Sequence, residues 1–72
     1  MIKYVISHCA GEYKVEISPA SEGFKLSIFD STSSINEVMM IDNDEEMYDR
    51  CREWASTNIV GEFNVGEKHD NG

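Results

Sequence analysis

The chain has 72 residues, 40 % of them hydrophobic, which is enough for one small core and leaves no room for a second domain. Fourteen acidic against six basic side chains give a formal charge of −8, which argues against direct binding of DNA, RNA or an anionic membrane, since phosphate binding relies on Lys and Arg to displace counterions. No apolar run approaches the roughly 20 residues that span a bilayer, and Met1 to Cys9 is too short for a signal peptide, so a cytoplasmic protein with no membrane partner is expected.

In chain order, Ile2 to His8 alternate with period two and are rich in β-branched and aromatic residues, which predicts a first strand. Ala10 and Gly11 break the run. Tyr13, Val15 and Ile17 then alternate with Lys14, Glu16 and Ser18, so a second strand returns as a hairpin. Pro19 to Gly23 make a turn, because Pro19 lacks the N–H of a ladder and the following residues are small and polar. Phe24, Leu26 and Ile28 mark a third strand, Asp30 to Ser34 a polar loop, and Val38 to Ile41 a fourth, shorter strand.

The period then changes to 3.6. Met47, Cys51, Trp54, Ala55 and Ile59 define one apolar helix face. Asn43 followed three residues on by Glu46 is a capping-box-like pair, and acids in the first turn suit the positive end of the helix dipole, so the helix should start within a residue or two of Asp44. Gly61 is the expected stop, with Asn58 an earlier alternative. Phe63 and Val65 either add a short strand or pack over an open edge. Residues 66–72 lack apolar anchors and read as a flexible tail after a single domain over 1–65.

An amphipathic helix must bury its stripe on one sheet face, so the expected architecture is α+β: an antiparallel meander of about four strands with one helix on one side. The other face collects Lys3, Lys14, Lys25, Glu16, Ser7, Ser18 and Ser27. The acids gather elsewhere. Glu37, Asp42, Asp44, Glu45, Glu46 and Asp49 occur with no Lys or Arg among them. On a helix, Glu45, Asp49 and Glu53 fall four apart and form a carboxylate row that costs about 0.2–0.5 kcal/mol per like-charged pair. Solubility and favourable dipole placement are one explanation of this segment, and a cationic partner is the other.

Other chemistry finds less support. Asp42, Asp44, Glu46, Tyr48, Arg50 and Glu53 match the ligand count of a calcium loop, but Met47 stands where the sharp turn needs glycine and Arg50 places a cation at a ligand position. No metal or other cofactor is expected. His8 and Cys9 are adjacent strand residues facing opposite ways, His69 lies in the tail, and no glycine-rich phosphate loop or nucleophile elbow occurs, so no enzymatic activity is expected. Two cysteines, Cys9 and Cys51, fit neither a disulfide framework nor a zinc pattern and read as reduced and at least partly buried. Met39 and Met40 cannot both point inward; one of them, or Phe29, is a candidate apolar anchor beside the acids.

A meander running through Val38-Met39-Met40-Ile41-Asp42-Asn43-Asp44-Glu45-Glu46-Met47 into an acid-capped helix resembles the layout of small phage-encoded inhibitors, including anti-CRISPR proteins. The resemblance covers most of the chain and rests on size, acidity and element order. It implies a stoichiometric inhibitor in the host cytoplasm whose carboxylates occupy the basic, nucleic-acid-binding surface of a host defence protein, as DNA mimics do. The partner-binding residues expected from the acidic segment are Glu37, Asp42, Asp44, Glu45, Glu46, Asp49 and Glu53. The alternative is a non-catalytic structural or oligomerisation module. A monomer and a homodimer are both compatible with the sequence.

Overall fold

The computed structural model describes residues 2–67. The fold is α+β: strands β1 (Ile2–His8), β2 (Gly11–Pro19), β3 (Phe24–Phe29) and β4 (Ile35–Ile41) are followed by a 3₁₀ turn (Asp44–Glu46), helix α1 (Met47–Asn58) and strand β5 (Phe63–Glu67). All neighbouring strands pair antiparallel, in the order β4-β3-β2-β1-β5. The sheet therefore has five strands and not four. Phe63 and Val65 supply the fifth, opposite His8 and Ile6 of β1. Gly66 and Glu67 belong to this strand, opposite Val5 and Tyr4, and so are not tail; the expected tail from 68 to 72 lies outside the described residues. Strand β4 begins at Ile35, three residues earlier than its apolar run suggests, because Ile35 and Glu37 pair with Phe29 and Ile28 of β3, with Asn36 bulged between them.

Register assigns the faces. Val15 opposite Ile28, Ile17 opposite Leu26 and Tyr4 opposite Val15 place the apolar alternates of β1, β2 and β3 on one side. Ile6, Val15, Leu26, Ile28 and Ile41 are buried there against Met47, Cys51, Trp54, Ala55 and Ile59, the five residues of the predicted helix stripe. Small Cys51 and Ala55 let the helix approach the sheet, and Trp54 meets Tyr13 edge-on with centroids 5.0 Å apart. On the outer face Ser27 is also buried, enclosed on the inner strand β3 between Glu16 and Val38.

The helix entry is a 3₁₀ turn before it is an α-helix. The Asn43 side-chain oxygen accepts from the Glu45 N–H at 3.1 Å, capping the 3₁₀ turn, while α1 starts at Met47 with no side-chain cap. Glu46 makes no reciprocal bond to Asn43; its carboxylate takes Arg50 instead, at 3.4 Å. At the other end α1 stops at Asn58, whose side-chain amide donates to the Trp54 carbonyl at 2.9 Å, while Ile59 turns extended. Gly61, with φ of +96°, turns the chain towards β5.

Two turns hold the β3 region. Gly23 has φ of +79°, and a Cβ there would collide with the Ile41 carbonyl at the end of β4. In the β3–β4 loop one Asp30 oxygen accepts from the Thr32 N–H and the Ser34 N–H, each at 2.9 Å, and from the Thr32 hydroxyl at 2.6 Å. These bonds, the Thr32 hydroxyl first, hold the Asp30 carboxyl down at about 2. They also hold Ser33 in a left-handed conformation at φ of 67°.

Leu26→Ala should cost about 2–5 kcal/mol, much of the roughly 4–11 kcal/mol available to a chain of this size. Gly23→Ala should cost at least about 1–3 kcal/mol from backbone strain; urea melts of both variants measure these losses. Because the folded carboxyl of Asp30 is depressed below its ordinary 3.8, its contribution is complete above about pH 4 and is lost as pH falls towards 2. Asp30→Asn should lower the melting temperature at pH 7 and flatten its decline across that window, as thermal melts at stepped pH would record.

Candidate binding face

The seven acidic residues singled out from the sequence occupy four places. Glu37 lies on β4, Asp42 in the connection to the 3₁₀ turn, Asp44, Glu45 and Glu46 within that turn, and Asp49 and Glu53 on α1. Six are exposed and Glu46 is half-buried. With about 100° per residue, Asp49 and Glu53 fall on the crown of α1, away from the Met47–Cys51–Trp54–Ala55 stripe, with Ser56 beside Asp49.

The carboxylate row is less regular than an unbroken α-helix would make it. A 3₁₀ residue turns about 120°, so Glu45 lies roughly 80° around the axis from Asp49, against roughly 40° between Asp49 and Glu53. Glu45 therefore leaves the line and joins Asp42 and Asp44 at the helix entry. The acids form two adjoining groups: Asp42, Asp44 and Glu45 at the entry, and Asp49 with Glu53 on the crown.

The two arginines flank that crown. Arg50 leans towards β4, pairs with Glu46, and lines a groove of about 220 Å³ with Glu37, Met39, Glu53, Trp54, Thr57 and Asn58. This exposed pair contributes about 0.3–0.5 kcal/mol. Glu46 is thereby paired, while Glu37 makes no ion pair among the described residues and is set apart from the other acids by its place on β4. Arg52 leans towards β5 and places its guanidinium 5.9 Å from the Tyr48 ring centroid, in a wider cleft of about 650 Å³ lined also by Phe63, Asn64 and Val65. Among the described residues, Asp42, Asp44, Glu45, Asp49 and Glu53 have no ion partner.

The residues that matched a calcium loop by count are spent on the 3₁₀ turn and α1. Among the described residues no group of three or more His, Cys, Asp or Glu is placed to hold a metal ion. His8 stacks on Tyr13 at 5.3 Å, a packing role on the helix side of the sheet. The cysteines part company: Cys51 is buried under α1, and Cys9 in the β1–β2 turn is exposed, contrary to the expectation that both are enclosed. The hairpin turn there leaves nothing to cover it. No described helix is long and apolar enough to cross a membrane.

The methionines divide in an unexpected way. Met39 is half-buried on the helix side, while Met40 is 58 % exposed and lies on the opposite face, beside Lys25. It is not an anchor next to the crown of α1. Met40 instead joins Ile35 (61 % exposed) and Val38 (47 %) in an apolar strip along β4, with half-buried Phe29 beside it. The polar residues inside the run Ile35-Asn36-Glu37-Val38 hid this strip, although Val38 and Met40 stand two apart, the spacing that shares a strand face.

These features define a small α+β domain with an acidic helix-side face and an apolar edge strand. No protein-family model, curated protein or solved structure matches the chain.

Burial pushes the Cys51 thiol from 9.0 up to about 12. Iodoacetamide at pH 8 should therefore label Cys9 in the folded protein and leave Cys51 unmodified until denaturant is added, an outcome that peptide mass spectrometry reads directly.

Proposed function

We propose that this protein is a non-catalytic acidic binding protein that inhibits a nucleic-acid-binding protein by occupying its basic surface. The observation that carries the reading is the set of exposed carboxylates without ion partners among the described residues at the entry of α1, Asp42, Asp44 and Glu45, and on its crown, Asp49 and Glu53. A solubilising charge has no need of that arrangement; it could be scattered. Gathering it costs like-charge repulsion, which a cationic partner would relieve. Backing by the core also means that little order must be gained on binding, which favours affinity.

The role is that of the phage-encoded inhibitors the sequence resembles, acting in the cytoplasm on a host defence protein. The face most suited to it is narrower than the sequence suggests: Glu46, paired with Arg50, and Glu37, set apart on β4, are secondary, and the five remaining acids carry the contact. Charge complementarity of this kind raises the association rate and makes affinity fall with salt.

The test is capture from a lysate of the source organism on immobilised wild-type protein and on the double variant Glu45→Lys, Asp49→Lys. Wild type should retain a nucleic-acid-binding protein that is released by competing nucleic acid and by about 0.5 M salt, where the Debye length is only a few ångströms. The variant should bind that protein at least about tenfold more weakly, equivalent to about 1.4 kcal/mol. Equal affinity for both baits would refute the reading.

A further inference from the structure

Strand β4 is an edge of the sheet, so alternate N–H and C=O groups along it have no strand to pair with. Edge strands commonly carry lysine, proline or a short length that discourages pairing. β4 has seven residues and neither lysine nor proline. Its bulge at Asn36 and its one charge, Glu37, which points to the helix side, lie towards its start, and residues 37–41 pair regularly with β3. Its outer side exposes Ile35, Val38 and Met40, three of the large hydrophobic residues left in solvent by this fold.

We propose that β4 is a self-association seam, pairing antiparallel with β4 of a second copy so that two five-stranded sheets become one. This inference is independent of the acidic-face reading. The occupant follows from charge and register. Opposed residues in an antiparallel pair point to the same face, so a two-fold axis at Met39 places Met39 opposite the partner's Met39 and both helices on one side. On the outer face Val38 then lies opposite the partner's Met40, and Met40 opposite the partner's Val38. Glu37 lies opposite the partner's Ile41, so the one charged residue of the strand does not face its own copy. An axis at Val38 would set Met40 against the partner's Asn36 and lose that match.

The remaining charges tolerate the seam. Lys25, beside Met40 on β3, would be separated from its copy by three strand spacings, roughly 14 Å, which exceeds the Debye length of about 8 Å at physiological salt. Asp49 and Glu53 crown α1 above the sheet. The charges nearest this strip on the outer face are Lys25 beside Met40, Lys14 beside Phe29 and Glu16 beyond Ser27, of mixed sign, so the basic partner of the acidic face finds no complement there. A strand with an apolar outer face is what the strip fits, and β4 itself presents one. The overlap from residue 37 to 41 is about 17 Å long, and a single strand of that length presents well under the roughly 800 Å² per partner of standard interfaces, so weak association, on the order of micromolar, is expected.

Sedimentation velocity across about 5–500 µM decides the matter at the concentrations a small interface requires. Wild type should shift from monomer to dimer, and salt should leave the shift unchanged or strengthen it, since both copies are acidic. Val38→Lys, a change at an exposed position, should weaken association at least about tenfold while the circular dichroism spectrum is retained. In a Cys9→Ser background, Met39→Cys should form a disulfide-linked dimer on mild oxidation, because directly opposed residues on paired strands lie within disulfide reach. A wild type that stays monomeric throughout overturns the proposal and leaves the strip to a strand of another protein. Dissociation by salt, or dimerisation undiminished in Val38→Lys, overturns it equally.

Discussion

Everything in this fold depends on the burial of one helix stripe against one sheet face. Ile6, Val15, Leu26, Ile28 and Ile41 of the sheet are buried in one cluster with Met47, Cys51, Trp54, Ala55 and Ile59. With so few residues there is no second core to compensate, and each buried Leu or Ile contributes about 1.5–3 kcal/mol against a net stability only a few times larger. The small pair Cys51 and Ala55 allows close approach, and Trp54 against Tyr13 fixes the helix across the sheet.

That packing decides where every charge on α1 points. Once the stripe is turned inward, Asp49 and Glu53 must face solvent, Arg50 must lean to β4 and Arg52 to β5. The arginines thus screen the two sides of the crown and leave its top and entry acidic. Carboxylates at the entry also gain from the positive end of the helix dipole, so part of their placement serves the fold whatever partner they meet. The acidic face and the apolar β4 strip lie on different sides of the molecule. A surface for a basic protein and a seam for a second copy can therefore operate without competing, and pairing at β4 would set two acidic crowns on the same side of one sheet.

Much of the architecture was legible in the order of residues. Alternation in Tyr4 and Ile6, in Tyr13, Val15 and Ile17, and in Phe24, Leu26 and Ile28 marked three strands, because a strand half-buried on one face admits no other pattern. The spacing of Met47, Cys51, Trp54, Ala55 and Ile59 marked the helix and its inner face for the same reason at period 3.6. Strand β5 was legible only as two possibilities, since Phe63 and Val65 are too short a run to distinguish a paired strand from a loop packed over an edge. The early start of β4 was hidden by Asn36 and Glu37: Glu37 pairs with β3 and Asn36 bulges out beside it, and side-chain periodicity is blind to both.

The candidate site divides along the same line. Local order was sufficient to find the acidic segment, the helix entry at Asn43 and Asp44, and the element in which each carboxylate falls, because caps and periodicity act over a few residues. It could not reveal that a 3₁₀ turn swings Glu45 out of line with Asp49, that Glu37 meets Arg50 and Glu53 in one groove, or that Met40 faces away from α1. Those depend on register between β3 and β4 and on the rotation of α1 over the sheet, and both are set by contacts between residues far apart in the chain.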